Sequence, residues 1–149
     1  MRTKRIFIVT GAYGFLGNTL CRMLSERKET VRALVLTGET CPAFDGFDNI
    51  TVYQGDVCKK ETLEELFVAD DCCELYLIHT AAVVSIDSVA HELTRRVNLE
   101  GARNIAELAL KHHVTKMVYV SSVHAIPENP VPQLIEETNQ SQRSCGRLC

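Results

Sequence analysis

The sequence predicts an α/β domain: a doubly wound parallel sheet of about five strands in the order 3-2-1-4-5. Three observations carry this. Five short apolar runs, each the length of a buried parallel strand, alternate with segments whose apolar residues recur at helical spacing. The first run, Ile6-Phe7-Ile8-Val9, breaks into Thr10-Gly11-Ala12-Tyr13-Gly14-Phe15-Leu16-Gly17, a glycine-rich turn that restarts as a helix. At 149 residues and 46% hydrophobic, the chain suffices for one domain with a real core and is too short for two large ones.

In the first strand-turn-helix unit, Gly11 takes the backbone angles of the turn and Gly14 lets a pyrophosphate approach the main chain. Gly17 lets the helix pack close to the strand. The unpaired N–H groups of the first helical turn then face the phosphates, where the helix dipole also favours negative charge. Glycines that serve packing alone are the competing explanation of the same pattern.

Residues 18–29 place Leu20, Met23 and Leu24, with Cys21 beside them, on one face of a crossover helix. Residues 31–36 form the second strand, and residues 37–49, holding Gly38, Pro42 and Gly46, read as a loop. Ile50–Gln54 is the third strand, with Gly55-Asp56-Val57 at its carboxyl end, where open α/β sheets bind ligands. A short helix over 59–67 leads to a fourth strand over 74–78, left by a loop of small residues, His79-Thr80-Ala81-Ala82. Residues 89–112 carry Leu93, Val97, Ala102, Ile105, Ala106 and Ala109 at helical spacing, with Gly101 marking close packing. The fifth strand, 116–120, ends in Ser121-Ser122, and Pro127, Pro130 and Pro132 interrupt regular structure beyond it.

A net charge of −3 without a long Lys/Arg run gives no electrostatic footprint for nucleic acid or an anionic membrane surface. No apolar run approaches the ~18 residues of a membrane span. Met1-Arg2-Thr3-Lys4-Arg5 leads straight into a strand, so a cytoplasmic protein with a small-molecule partner is expected. Seven scattered cysteines without a C-x-x-C pair imply reduced thiols and no metal. His91, His112 and His113, on or beside a charged helix, read as solvated.

Thr10-Gly11-x-x-Gly14-Phe15-Leu16-Gly17 resembles the T-G-x-x-G-F-[LI]-G motif of the extended short-chain dehydrogenases/reductases. Four further segments resemble that family in register: Asp56-Val57, His79-Thr80-Ala81-Ala82, Val97-Asn98-Leu99-Glu100-Gly101 and Tyr119-Val120-Ser121-Ser122. Val31-Arg32-Ala33-Leu34-Val35 and the residues after Ser122 point to the epimerase/dehydratase and dihydroflavonol-reductase-like branch. The resemblance covers residues 4–127.

It implies a Rossmann-type fold and an NAD or NADP cofactor held by Gly11, Gly14, Phe15, Leu16, Gly17, Asp56, Val57, Thr80, Ala81, Ala82 and Asn98. Asp56-Val57 would contact the adenine, and Asn98 would link the long helix to the loop after strand four. Ser122 would be the catalytic serine that orients a substrate oxygen. Taken alone, Asp56 is equally a helix N-cap, and serines at a strand end are more commonly plain turn formers. Strand two ends in Leu36-Thr37-Gly38, with Arg32 inside it and Glu39 three residues beyond Leu36, and the missing acid at the strand end tilts the expectation towards NADP.

The family transfers hydride to or from carbonyls and alcohols, on substrates such as nucleotide sugars or flavonoid-like ketones, through a Tyr-x-x-x-Lys pair. No such pair follows Ser122. The expectation is therefore a cofactor domain over 1–127 and an irregular tail over 128–149, truncated and catalytically impaired. The alternative is a non-catalytic nucleotide-binding regulator. Residues 142–149 are compatible with codons that in a shifted frame spell Asn-Ala-Val-Val-Gly-Gly-Tyr, resembling the approach to the family's tyrosine, so a frameshift is one expectation and a deliberate or natural truncation the plain alternative. A homodimer through the long helix also follows from the resemblance.

Overall fold

The computed structural model describes residues 4–84 and 92–122. Its five strands are β1 (Lys4–Thr10), β2 (Thr30–Val35), β3 (Ile50–Gln54), β4 (Cys73–His79) and β5 (Lys116–Tyr119). They form one parallel sheet in the order β3-β2-β1-β4-β5, as the alternation of strands and helices predicts. β1 lies at the centre, with Ile8 opposite Arg32 on one side and Leu77 on the other. The winding direction reverses between β1 and β4, which opens a crevice at their carboxyl ends.

Successive residues of a strand face opposite sides, so β1 supplies both halves of the core. Val9 joins Ala12, Cys21, Val31, Ala33 and Val35 beneath helix α1 (Phe15–Glu26). Ile8 joins Leu63, Phe67, Leu77, Ile105 and Leu108 on the other face, under α2 (Glu64–Phe67) and the long helix. Phe44, in a 3₁₀ turn over Pro42–Phe44, closes the first half-core from within the long loop.

Helix α1 begins inside the glycine motif, three residues earlier than its apolar spacing predicts, and its buried line is Gly17, Cys21 and Ser25. Four-residue steps put those three on one stripe. Met23 lies off that stripe and is 47% exposed, which corrects its placement in the core.

The long helix is not continuous. It comprises α3 (Glu92–Arg95), a π-helical segment (Arg96–Gly101) and α4 (Ala102–Lys111). A π turn widens the spiral and rotates what precedes it. Leu93, expected inside, is therefore outside, and Thr94 is buried in its stead. Gly101 does mark close packing, since a Cβ there would stand 2.7 Å from Val57 Cγ2. His112 is not simply solvated: half-buried, it stacks on Phe67 and holds Nε2 3.0 Å from Glu64 Oε2. His91, the prolines after Ser122 and the tail expected over 128–149 lie outside the described residues.

Candidate functional site

Because every strand is parallel, the glycine turn, Asp56-Val57, the loop after β4 and the two serines all leave the sheet at its carboxyl edge, while Asn98 comes from the helix. The glycine turn is fixed there by its own backbone. Gly14 N donates to Gly11 O (3.0 Å), and Ala12 N donates to Leu34 O at the end of β2 (3.0 Å). Gly11 has φ +67°, and a Cβ on it would lie 2.8 Å from the Ala81 backbone, so only glycine fits between this turn and the loop after β4.

Helix α1 then starts from Gly14, whose φ of −69° and ψ of 164° are extended; no side chain caps it, and its first turn contains no acid. The first N–H groups of a helix lack intrahelical acceptors. Here they open at the crevice beside Gly14, Phe15 and Leu16, all exposed. A phosphate fits this cradle, because no carboxylate occupies it and Gly14 carries no Cβ to obstruct it.

Thr10 connects the turn to β4. Its hydroxyl oxygen lies 3.2 Å from the N–H groups of Thr80 and Ala81 and 2.7 Å from His79 Nδ1. Two backbone donors use its acceptor sites, so its single proton goes to His79 Nδ1. His79 is thereby the neutral tautomer with hydrogen on Nε2. Thr80 completes the link by donating its hydroxyl to Thr10 O (2.6 Å).

His79 is 1% exposed and stacks on Tyr119, with ring centroids 5.5 Å apart. Its Nε2 has no partner among the described residues. Burial holds its pKa down at about 4, against an ordinary value of 6.5. Between those values the unfolded chain takes up a proton that the folded chain refuses. Stability contributed by His79 is therefore fully present above the unfolded pKa and falls as the pH drops through the window, by about 3 kcal/mol. Urea unfolding from neutral pH downwards should show this loss, and the same series on His79→Asn should lack that part of the slope. The ring ties the end of β4 to Thr10 through Nδ1 and to Tyr119 through its face.

Asn98, inside the π segment, makes the contact expected of it. Its Oδ1 accepts from Val83 N (2.8 Å) and its Nδ2 donates to Val83 O (2.9 Å), a two-point clip on the chain leaving Ala82. Asp56, two residues past β3, accepts from Cys58 N on Oδ1 (2.9 Å) in a local turn; it is not the helix N-cap the sequence also offered, since those positions fall on Lys59 and Leu63. Its half-exposed side chain keeps further acceptor sites open. Val57 is 7% exposed, packs on Gly101, and accepts from Asn104 Nδ2 on its carbonyl (2.9 Å). The sequence reading missed this contact of Asn104; a polar amide inside a helix was the available signal.

Ser121 and Ser122 leave β5 exposed, and Val120 N donates to His79 O (3.0 Å), which holds them beside the end of β4. Glycine turn, Thr80–Ala82 loop and serines thus follow one another along the carboxyl edge of β1, β4 and β5. Other reactive groups stand apart. Burial, with Cys41 adding to it, pushes the Cys21 thiol up to about 12, which makes it inert. Asp70, Cys72 and Cys73 bring potential ligand atoms within 4.8 Å of one another, at the amino end of β4 and away from the crevice.

Fold and crevice together define a Rossmann-type domain of the extended short-chain dehydrogenase/reductase kind. The chain belongs to the 3-beta hydroxysteroid dehydrogenase/isomerase family, whose model matches residues 8–145, past the point where the motif resemblance ends. It is 33% identical over 123 residues to sterol demethylase protein B of Methylococcus capsulatus, covering 83% of this chain and 36% of that protein. It is 28% identical over 130 residues to mouse 3 beta-hydroxysteroid dehydrogenase type 7, covering 83% of this chain and 34% of that one. The chain thus spans about a third of the length of these curated relatives. Among solved structures, the Thermus thermophilus UDP-glucose 4-epimerase in complex with NAD superposes with a TM-score of 0.74 at 28% identity, over 89% of this chain and 43% of that one. No helix among the described residues is long and apolar enough to cross a membrane.

Proposed function

We propose that this chain is the NAD(P)-binding domain of an extended short-chain dehydrogenase/reductase of the epimerase/dehydratase or carbonyl-reductase type. The uncapped, acid-free start of α1, set against the β4 loop by Gly11, carries this reading. Its geometry suits a pyrophosphate, and the solved relative at 28% identity is an NAD complex. On this reading Gly11, Gly14, Phe15, Leu16 and Gly17 form the phosphate cradle. Asp56 and Val57 border the adenine, Thr80, Ala81 and Ala82 line the nicotinamide side with Asn98 supporting them, and Ser122 orients a substrate oxygen. A cytoplasmic protein, a pairing of copies through the long helix and a cofactor domain over 1–127 belong to the same proposal.

The 149 residues contain no Tyr-x-x-x-Lys. They would therefore bind dinucleotide without the acid/base group that protonates or deprotonates the substrate oxygen. Titration of the folded protein with NADH and NADPH, followed by nicotinamide fluorescence, is expected to show saturable binding. A carbonyl panel with the same protein is expected to show no turnover. Folded protein that binds neither dinucleotide would overturn the cofactor assignment, and turnover would overturn the impairment.

A further inference from the structure

Open α/β dinucleotide sites distinguish NAD from NADP just after the second strand, where a carboxylate can accept from the ribose 2′-OH or a cation can meet a 2′-phosphate. Here Leu36 and Thr37 follow β2 directly. The backbone nevertheless returns a carboxylate to that point. Gly38, at φ +90°, reverses the chain, Glu39 N donates to Leu36 O (2.9 Å), and Glu39 Oε2 accepts from Leu36 N (3.1 Å). From the neighbouring strand, Gln54 receives Gly38 N on Oε1 (3.2 Å) and donates Nε2 to Glu39 O (3.1 Å). The loop is pinned from both sides, with Glu39 beside the strand end that also accepts from the glycine turn.

No cation among the described residues pairs with Glu39. Arg32, the nearest candidate in sequence for a 2′-phosphate, instead donates Nη1 to Leu66 O (2.7 Å) and lies 5.8 Å from the Tyr53 ring centroid. That removes one ground for expecting NADP. The leucine that stands where an acid is usual hides the other, because the acid arrives three residues later through a turn.

We propose that Glu39 selects NAD over NADP in this chain, an inference that rests on the cofactor assignment above. One carboxylate oxygen holds the loop through Leu36 N, and the remaining acceptor sites receive the ribose hydroxyl. A 2′-phosphate at the same place brings like charges together.

Glu39→Gln tests this, because the amide oxygen can still accept from Leu36 N while the charge is lost. Dissociation constants for NADH and NADPH are measured on the native protein and the variant, with circular dichroism confirming the fold. The native protein should prefer NADH by about tenfold or more, and Glu39→Gln should narrow the preference by about tenfold through tighter NADPH binding. Equal binding of both by the native protein, or an unchanged ratio in the variant, would overturn this proposal alone. Binding of neither by folded protein would overturn the cofactor assignment and this proposal with it.

Discussion

Gly17→Ala should lose about 3 kcal/mol or more of stability and with it any dinucleotide binding. Its added Cβ would stand 2.2 Å from Gly11 O, 2.8 Å from Gly11 C and 3.0 Å from Ala12 Cα. All three are backbone atoms of the preceding turn, so no rotamer change relieves the clash. Helix α1 would have to withdraw from β1, which unseats Cys21 and Ser25, the residues one and two helical steps along the same buried stripe. Gly14→Ala is the informative comparison. Its Cβ meets only Gly11 O, at 3.2 Å, in an extended conformation open to any residue. That variant should keep the fold with a loss below about 1 kcal/mol, while its methyl stands in the phosphate cradle and weakens binding. Urea midpoints and NADH titrations on both variants check the pair, and a Gly17→Ala midpoint equal to that of the native chain would contradict the packing argument.

The sequence made legible what depends on local pattern. Strand positions follow from short apolar runs, most deeply buried in β1 and β2 and largely exposed in the edge strands β3 and β5, and their order from the handedness of crossovers. The roles of Gly11 and Gly17 follow from spacing around a turn, and Asn98 betrayed itself as an amide where a helix disfavours one. What stayed hidden depends on contacts across the fold. Leu93 and Met23 satisfied a helical period, but a π turn and the stripe set by Gly17 decided which face met the core. His112 looked exposed because its partners Glu64 and Phe67 lie some fifty residues away in another helix. Glu39 looked misplaced because only the reversal at Gly38 and the clamp from Gln54 bring it back to β2.

Thr10 is the second position where a small change should have a large effect, and unlike Gly17 it stands in the motif without an assigned role. Thr10→Val preserves the volume, the β-branch and the strand propensity, so what it removes is the hydroxyl. That single oxygen serves Thr80 N, Ala81 N and His79 Nδ1. His79 is buried, and its Nδ1 would be left without a donor; Thr80 and Ala81 are half-buried, so water reaches them in part. With each stranded group costing roughly 1–3 kcal/mol and two of the three partly rehydrated, a net loss of about 3 kcal/mol is expected in urea unfolding. Thr10→Ser, which keeps the hydroxyl, should recover most of it. The imidazole nitrogen shifts of His79 supply a readout that simple destabilisation would not move. In the native protein they should report hydrogen on Nε2 alone, and in Thr10→Val a mixture of tautomers, because nothing then donates to Nδ1. A valine variant with the native midpoint and an unchanged tautomer would show that Thr10 does not hold the β4 loop against the glycine turn.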